Sequence, residues 1–258
     1  MTDTHGLLLS RDEESGVATI TLDVPEKLNR VTMAARDRLR ELFEELGRDE
    51  SVRAIILRGE GPAFTAGGDI QGFLDASPEE VSRLAWNVAA PERCPKPVIA
   101  LLHGYAFGVG FELALACDFR IAEEGTELAL PELNLGIIPG SGGTQRLARL
   151  VGLGRAKDII MRRRRVGTAE ALALGLVTEV VPEGGLDDAA ARLLAELATI
   201  SPLALAMAKR VLNHAYDAPL SVGLELEGLA YGLLRTTDDF REGVEAFFEK
   251  RPPKFTGR

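Results

Sequence analysis

Hydrophobic and polar positions follow two rhythms along the chain. Up to residue 185 short apolar runs alternate with amphipathic stretches, and beyond it only helical spacing remains. Residues 7–10 and 17–22 are apolar or alternating runs around the polar segment 11–16, which is the pattern of a β-hairpin. A connection over 25–32 leads to a helix over 33–48, where Met33, Leu39, Leu42, Phe43 and Leu46 share a face. A β-branched strand at 52–57 runs into the turn-rich GEGPAFTAGGDI of 59–70. A helical stretch over 78–90 stops at Pro91, and Pro95 and Pro97 stiffen the approach to an apolar strand at 98–102. Next come a turn over 104–110, helical character from Val109 through 117, and a short strand at Leu128 stopped by Pro131. Gly136, Gly140, Gly142 and Gly143 then precede a helix starting near Thr144. Helices over 155–163 and 168–174, a strand at 177–181, and successive helices across 186–248 broken at Pro202 and Pro219 complete the chain.

Strands alternating with helices imply parallel pairing through crossovers, an α/β fold. In such folds sites gather at the carboxyl ends of strands, where both Gly-rich loops fall. No internal repeat, low-complexity tract or flexible linker interrupts the pattern.

Composition narrows the function classes. The 258 residues can bury one sizeable core, and a hydrophobic fraction of 46% is ordinary for a globular chain. A net charge of −9 argues against nucleic acid as the main partner, because phosphate binding needs a basic surface. Cys94 and Cys117 lack metal-type spacing and further partners, so they read as apolar fillers in a reducing compartment. The start MTDTHGLLLSRDEESG has no basic or long apolar segment, and no run of about 18 apolar residues occurs. The expectation is a cytoplasmic protein with no membrane partner.

Chemistry concentrates between residues 98 and 146. In FTAGGDI, the successive Gly67 and Gly68 let a backbone N–H approach a ligand without a Cβ in the way, although an isolated Gly-Gly is usually only a turn. A helix starting near Val109 points its first N–H groups into the other loop without intrahelical partners. Two such donors form an oxyanion hole, worth about 3 to 4 kcal/mol per donor. Glu112 alone reads as a first-turn acid complementing the helix dipole, and Glu132 alone as a surface residue. Their flanks, GFELALAC and PELNLGIIPG, are apolar and imply burial, which raises a carboxyl pKa toward proton-transfer use. The twenty residues between them allow a helix, a strand and a return, so the two carboxylates can meet.

Other motifs carry less. PGSGG opens a helix but lacks the lysine of a phosphate-binding loop. Ser141 as a nucleophile needs a base, and His5, His103 and His214 stand in no triad context, His103 reading as a packed residue at a strand end. The run RRRR at Arg162 to Arg165 reads as a solvated helix face.

Taken together, FTAGGDI, KPVIALLHGYAFGVGFELALACDFRIA and PELNLGIIPGSGGTQRL resemble the enoyl-CoA hydratase/isomerase (crotonase) superfamily, and the similarity runs from the hairpin to REGVEAFFEKRPPKF. The resemblance implies a crotonase-like spiral of ββα units over 1–185, with a C-terminal helical trimerisation region over 186–258. It implies a homotrimer or a dimer of trimers. It places the oxyanion-hole donors on the N–H groups of Gly68 and Val109, the two acid–base glutamates on Glu112 and Glu132, and a backbone contact to the reacting water on Gly140. Leu28, Arg30, Ala66, Asp69 and Lys250 fall where coenzyme A is held, Lys250 by position alone. No metal or separate cofactor is implied, since coenzyme A is part of the substrate.

Three positions depart from the superfamily pattern: Val109 where glycine is usual, Arg30 where a small residue is usual, and Arg162 and Arg163 in place of a small-residue turn. The expected activity is reversible hydration of a trans-2-enoyl-CoA to a 3-hydroxyacyl-CoA. The alternatives are double-bond isomerisation or another crotonase-type reaction on an aromatic or alicyclic acyl-CoA. Isomerases of this kind commonly replace the acid matching Glu112 with an apolar residue, so the presence of both glutamates favours hydration. A non-catalytic RNA binder using the arginine run ranks far below, against the acidic balance.

Overall fold

A computed structural model describes residues 3–258. The hairpin is present as β1 (Leu7–Asp12) and β2 (Val17–Leu22), paired antiparallel from Leu7↔Leu22 to Asp12↔Val17. Helix α1 (Met33–Arg48) is capped by Thr32, whose side chain accepts from Ala35 N at 3.0 Å. It buries Leu39, Leu42, Phe43 and Leu46 on the face read from their spacing. Strand β3 (Ala54–Gly59) lies parallel to β2. The segment expected as one helix over 78–90 is three short ones: α2 (Pro78–Ser82), α3 (Leu84–Val88) and α4 (Ala90–Arg93). Pro91 lies in the first turn of α4 rather than after a helix end, a position where its missing N–H is no loss.

Strand β4 (Val98–Leu102), buried at every residue, sits between β3 and β6 (Phe119–Glu123). Helix α5 (Val109–Ala116) is also buried throughout, so it is apolar all round rather than amphipathic. Its preceding turn holds a strand the sequence reading missed, β5 (Tyr105–Phe107), which pairs parallel with β7 (Glu127–Ala129). After a short 3-10 turn (Glu132–Leu135) come α6 (Gly143–Val151) and α7 (Leu153–Met161). Strand β8 (Arg165–Gly167), helix α8 (Thr168–Ala173) and strand β9 (Glu179–Val181) follow.

Two sheets result, one of six strands in the order β1-β2-β3-β4-β6-β9 and one of three in the order β5-β7-β8. The middle turns, β4-β5-α5 and β6-β7-α6, each give one strand to each sheet and then a helix, the repeat of a spiral of ββα units. The buried helix α5 needs a firm end. Arg120 supplies it, donating from Nη1 to Ala114 O (3.1 Å) and Cys117 O (2.6 Å) and from Nε to Leu176 O (2.8 Å).

The arginine run is not a helix face. Helix α7 stops at Met161, Arg163 turns the chain with φ 54°, and Arg165 begins β8. Its charges are spoken for: Arg162 and Arg164 pair with Asp158, Arg164 also with Glu170, and Arg165 with Glu127. Arg163 donates to Asn134 Oδ1 at 2.6 Å.

The chain divides into two compact units, the second made of residues 95–97 and 191–258. That division falls within α9 (Leu186–Ala198). The second unit holds α10 (Pro202–Asn213), α11 (Leu220–Leu234) and α12 (Asp238–Glu249). Buried Asp239 gathers the last residues there, accepting from Thr256 N (2.7 Å), Gly257 N and Ser201 Oγ (2.6 Å). Among the described residues no single helix is long and apolar enough to cross a membrane.

Replacing Arg120 with Met removes three bonds to backbone carbonyls, two at the end of α5 and one at Leu176. The expected cost is about 2 to 4 kcal/mol, read as a lower urea midpoint at unchanged slope. An unchanged midpoint would show that these bonds do not hold α5.

Candidate active site

The two Gly-rich loops are joined edge to edge. Thr65 bridges Ala106, with Phe64 N, Thr65 N and Phe107 N donating to His103 O, Tyr105 O and Thr65 O at 2.9, 2.9 and 3.1 Å. Asn29, buried and left-handed at φ 54°, fixes the first loop from below. Its Nδ2 donates to Glu60 O (2.8 Å) and Ala63 O (2.7 Å), while its Oδ1 accepts from Val24 N (2.9 Å). Above it Ala66 N donates to Leu28 O (2.9 Å), and Asp69 N to Val31 O (3.1 Å). Gly67 N is held by Thr65 Oγ1 at 3.0 Å. The N–H of Gly68, between two engaged neighbours, has no protein acceptor among the described residues.

The same holds for the N–H of Val109, the first residue of α5. Gly108 before it donates to Ala129 O (2.9 Å) and has φ 53° and ψ −124°, a conformation only glycine takes without strain. A Cβ there would also lie 3.2 Å from Glu132 Oε1.

Both carboxylates come to this place. Glu112, 2% exposed, turns inward from the first turn of α5. Its Oε1 accepts from Ser141 N (2.7 Å) and Gly143 N (2.9 Å), the loop and first residue of α6. Burial pushes its pKa up, against the downward pull of those two N–H groups and the charge of Arg36. Glu132 stands at the start of the 3-10 turn, half-buried, with Oε2 buried and unpartnered. Burial pushes its carboxyl up to about 7, with the Glu112 charge adding to the rise and Arg36 opposing it. The apolar flank that implied this burial provides only part of it: Leu133 packs on the core, whereas Leu135, Ile137 and Ile138 are exposed. The turn before α5 approaches Glu132, a Cβ on Gly108 falling 3.2 Å from its Oε1.

Two further residues complete the group, Ser141, weighed in the sequence only as a nucleophile, and Arg36, passed over there. Ser141 is buried, and its hydroxyl accepts from Arg36 Nη1 at 3.3 Å. Arg36 itself is buried in α1. The signal was available, since Arg36 lies three residues from Met33 and three from Leu39, a charge on an otherwise apolar stripe.

The remaining positions are less concentrated. Leu28 is left-handed at φ 49° and exposed, as is Ala66. Arg30 and Asp69 face each other, Nη1 to Oδ1 at 3.3 Å, which gives the unusual arginine a partner. Gly140 is exposed and directly precedes Ser141. Lys250 is an exposed residue of the second unit, left-handed at φ 55° after α12.

Comparison with known proteins follows the same line. The sequence pattern described as enoyl-CoA hydratase/isomerase matches residues 12–258. The chain is 41% identical to the Bacillus subtilis (strain 168) protein YngF, which carries an enoyl-CoA hydratase/isomerase name, over 93% of this chain and 95% of that one. It is 36% identical to the 2,3-dehydroadipyl-CoA hydratase of Escherichia coli (strain K12), over 98% and 99%. The crystal structure of enoyl-CoA hydratase from Bacillus anthracis superposes with a TM-score of 0.91 at 36% identity, over 98% of this chain and 100% of that one.

With glutamate carboxyls labelled in carbon-13, one resonance should titrate near pH 7 and vanish in Glu132→Gln. A full set titrating below about 5, the ordinary carboxylate range, would contradict the burial argument.

Proposed function

The chain belongs to the enoyl-CoA hydratase/isomerase family, an enzyme family of the crotonase superfamily acting on acyl-CoA thioesters, and from that premise we propose that it adds water reversibly to a trans-2-enoyl-CoA. The observation that carries this reading is the carboxylate pair. One glutamate is buried and anchored, burial pushes the carboxyl of the other up to about 7, and the N–H groups of Gly68 and Val109 have no protein acceptor among the described residues.

In this reading the thioester oxygen accepts from Gly68 N–H and Val109 N–H, which draws electron density from the double bond and makes the β-carbon electrophilic. Glu112 takes a proton from water as its oxygen bonds to the β-carbon. The π pair moves toward the α-carbon and thioester oxygen, and Glu132 delivers its proton to the α-carbon. The pair holds one proton before and after, so one protonation state serves both directions, and no redox or metal step is needed. Gly140 contacts the water by its backbone. Leu28, Ala66, Arg30 and Asp69 line the path of coenzyme A. The Arg30–Asp69 pair leaves the guanidinium's other nitrogens for an anionic group.

The second unit supports a homotrimer or a dimer of trimers. Helix α11 has no buried residue, and Leu224, Leu229, Tyr231 and Leu233 are exposed on it, more apolar surface than a lone chain keeps in water. Two buried thiols fit the cytoplasm.

The test is loss of the conjugated-thioester absorbance when crotonyl-CoA and longer trans-2-enoyl-CoAs meet the purified protein. Glu132→Gln should lower turnover by roughly 100-fold or more with acyl-CoA affinity nearly intact, and Glu112→Ala should abolish it. A fully active Glu132→Gln would remove its proton-transfer role, and no reaction with any of these substrates would move the reading to a specialised acyl-CoA reaction. Sedimentation should give a mass three or six times that of one chain, and a monomer would sink the assembly proposed.

A further inference from the structure

Arg36 is unlike every other buried residue of α1, whose neighbours Ala35, Leu39, Leu42, Phe43 and Leu46 are apolar. Helical spacing alone would be served by a methionine of similar length, without the cost of burying a cation. For a buried guanidinium it is poorly bonded. Its one hydrogen bond, to Ser141 Oγ, is 3.3 Å long, and its Nε has no partner. Neither glutamate takes a hydrogen bond from it, yet both attract its charge. Its plane lies 5.1 Å from the centre of the Phe73 ring.

Its position explains the arrangement. Nη2 lies 2.7 Å from where a Cβ of Gly68 would stand, so glycine at 68 leaves room for the cation as well as for a ligand. The guanidinium therefore backs the residue that offers one of the free N–H groups. When an enolate forms, a full negative charge appears beside that N–H, within the field of the buried cation. The cation favours the ionised form of both carboxyls and so opposes the rise that burial gives each.

Building on the hydratase reading, we propose that Arg36 is a positioning residue of the reacting centre, a buried cation set behind the Gly68 donor that stabilises the negative charge developing on the thioester oxygen. It touches neither water nor substrate, and it acts through the field at the hole and at the carboxylate pair. The charges that face this group are few: Arg36 from α1, Glu112 from α5 and Glu132 from the 3-10 turn. The Ser141 hydroxyl and the N–H groups of Ser141 and Gly143 come from the loop and start of α6. The outer charges are paired with one another, Arg146 with Glu92 and Arg30 with Asp69.

The experiment compares the full-length protein with Arg36→Met and Arg36→Lys, using three acyl-CoAs. Butyryl-CoA reports binding, crotonyl-CoA turnover, and acetoacetyl-CoA, whose α-carbon ionises, the enolate through its near-ultraviolet band. The wild type should bind acetoacetyl-CoA largely as the enolate. Arg36→Met should bind butyryl-CoA as well as the wild type, lose most of the enolate band and lower kcat by about 10- to 100-fold at little-changed KM. Because the cation favours ionised carboxylates, its loss should move both limbs of the pH–rate profile to higher pH, the alkaline limb rising from its place near 7. Arg36→Lys should restore much of the band and the limbs. An undiminished enolate band with unmoved limbs in Arg36→Met would overturn the proposal, as would parallel loss of butyryl-CoA binding, which marks a packing role. A wild type that binds none of the three would instead overturn the hydratase reading, and the role of Arg36 with it.

Discussion

A carboxylate cannot be buried among apolar side chains unless fixed donors meet it, and the placement of Glu112 answers to that constraint. The two N–H groups that meet it come from Ser141 and Gly143, about thirty residues further along the chain, so the bond joins α5 to the loop that starts α6. One interaction thus fixes the acid and locks two successive turns of the spiral together. The same loop brings the Ser141 hydroxyl to Arg36, which ties α1 into the group.

The fold supplies the rest by repetition. Strand β4 of the large sheet leads to β5 in the small one, and β3 leads to a glycine-bearing loop that bridges β5 at Thr65↔Ala106. Two neighbouring loops therefore lie side by side, each with one backbone N–H that no protein group claims. In the proposed reaction one such N–H is weak, but two that meet the thioester oxygen favour a developing oxyanion over the neutral carbonyl, and that difference is what accelerates the step. Glu132 sits where burial and the Glu112 charge raise its pKa while Arg36 restrains the rise, which leaves a proton that can move either way near neutral pH.

Much of this was legible in the chain because local rules carried it. Glu112 and Val109 follow from a helix starting after a glycine turn, and most strands of the large sheet from apolar runs of strand length, although β6 between α5 and β7 was not among them. What was not legible depends on distant partners. Arg36 meets Ser141 across 105 residues, and counting apolar positions along α1 passed it by. Strand β5 has only three residues, and its pairing with β7 outweighs the turn character of its glycine neighbours. The arginine run was misread because a charge run carries no signal of where a helix stops, and the stop is set by Arg163 turning left-handed. At Glu132 the apolar flank accounts for only part of the burial, since Leu133 packs on the core while Leu135, Ile137 and Ile138 face outward.

The central claim is that Glu112 and Glu132 add the elements of water across a double bond rather than move the bond. The most direct measurement is the reaction of crotonyl-CoA in deuterated, oxygen-18-labelled water, followed by mass and NMR analysis of the product. The account expects one deuterium on the α-carbon and one labelled oxygen on the β-carbon, at rates that fall together when either glutamate is replaced. Deuterium exchange or a shifted double bond without labelled oxygen in the product would contradict it and make the protein an isomerase.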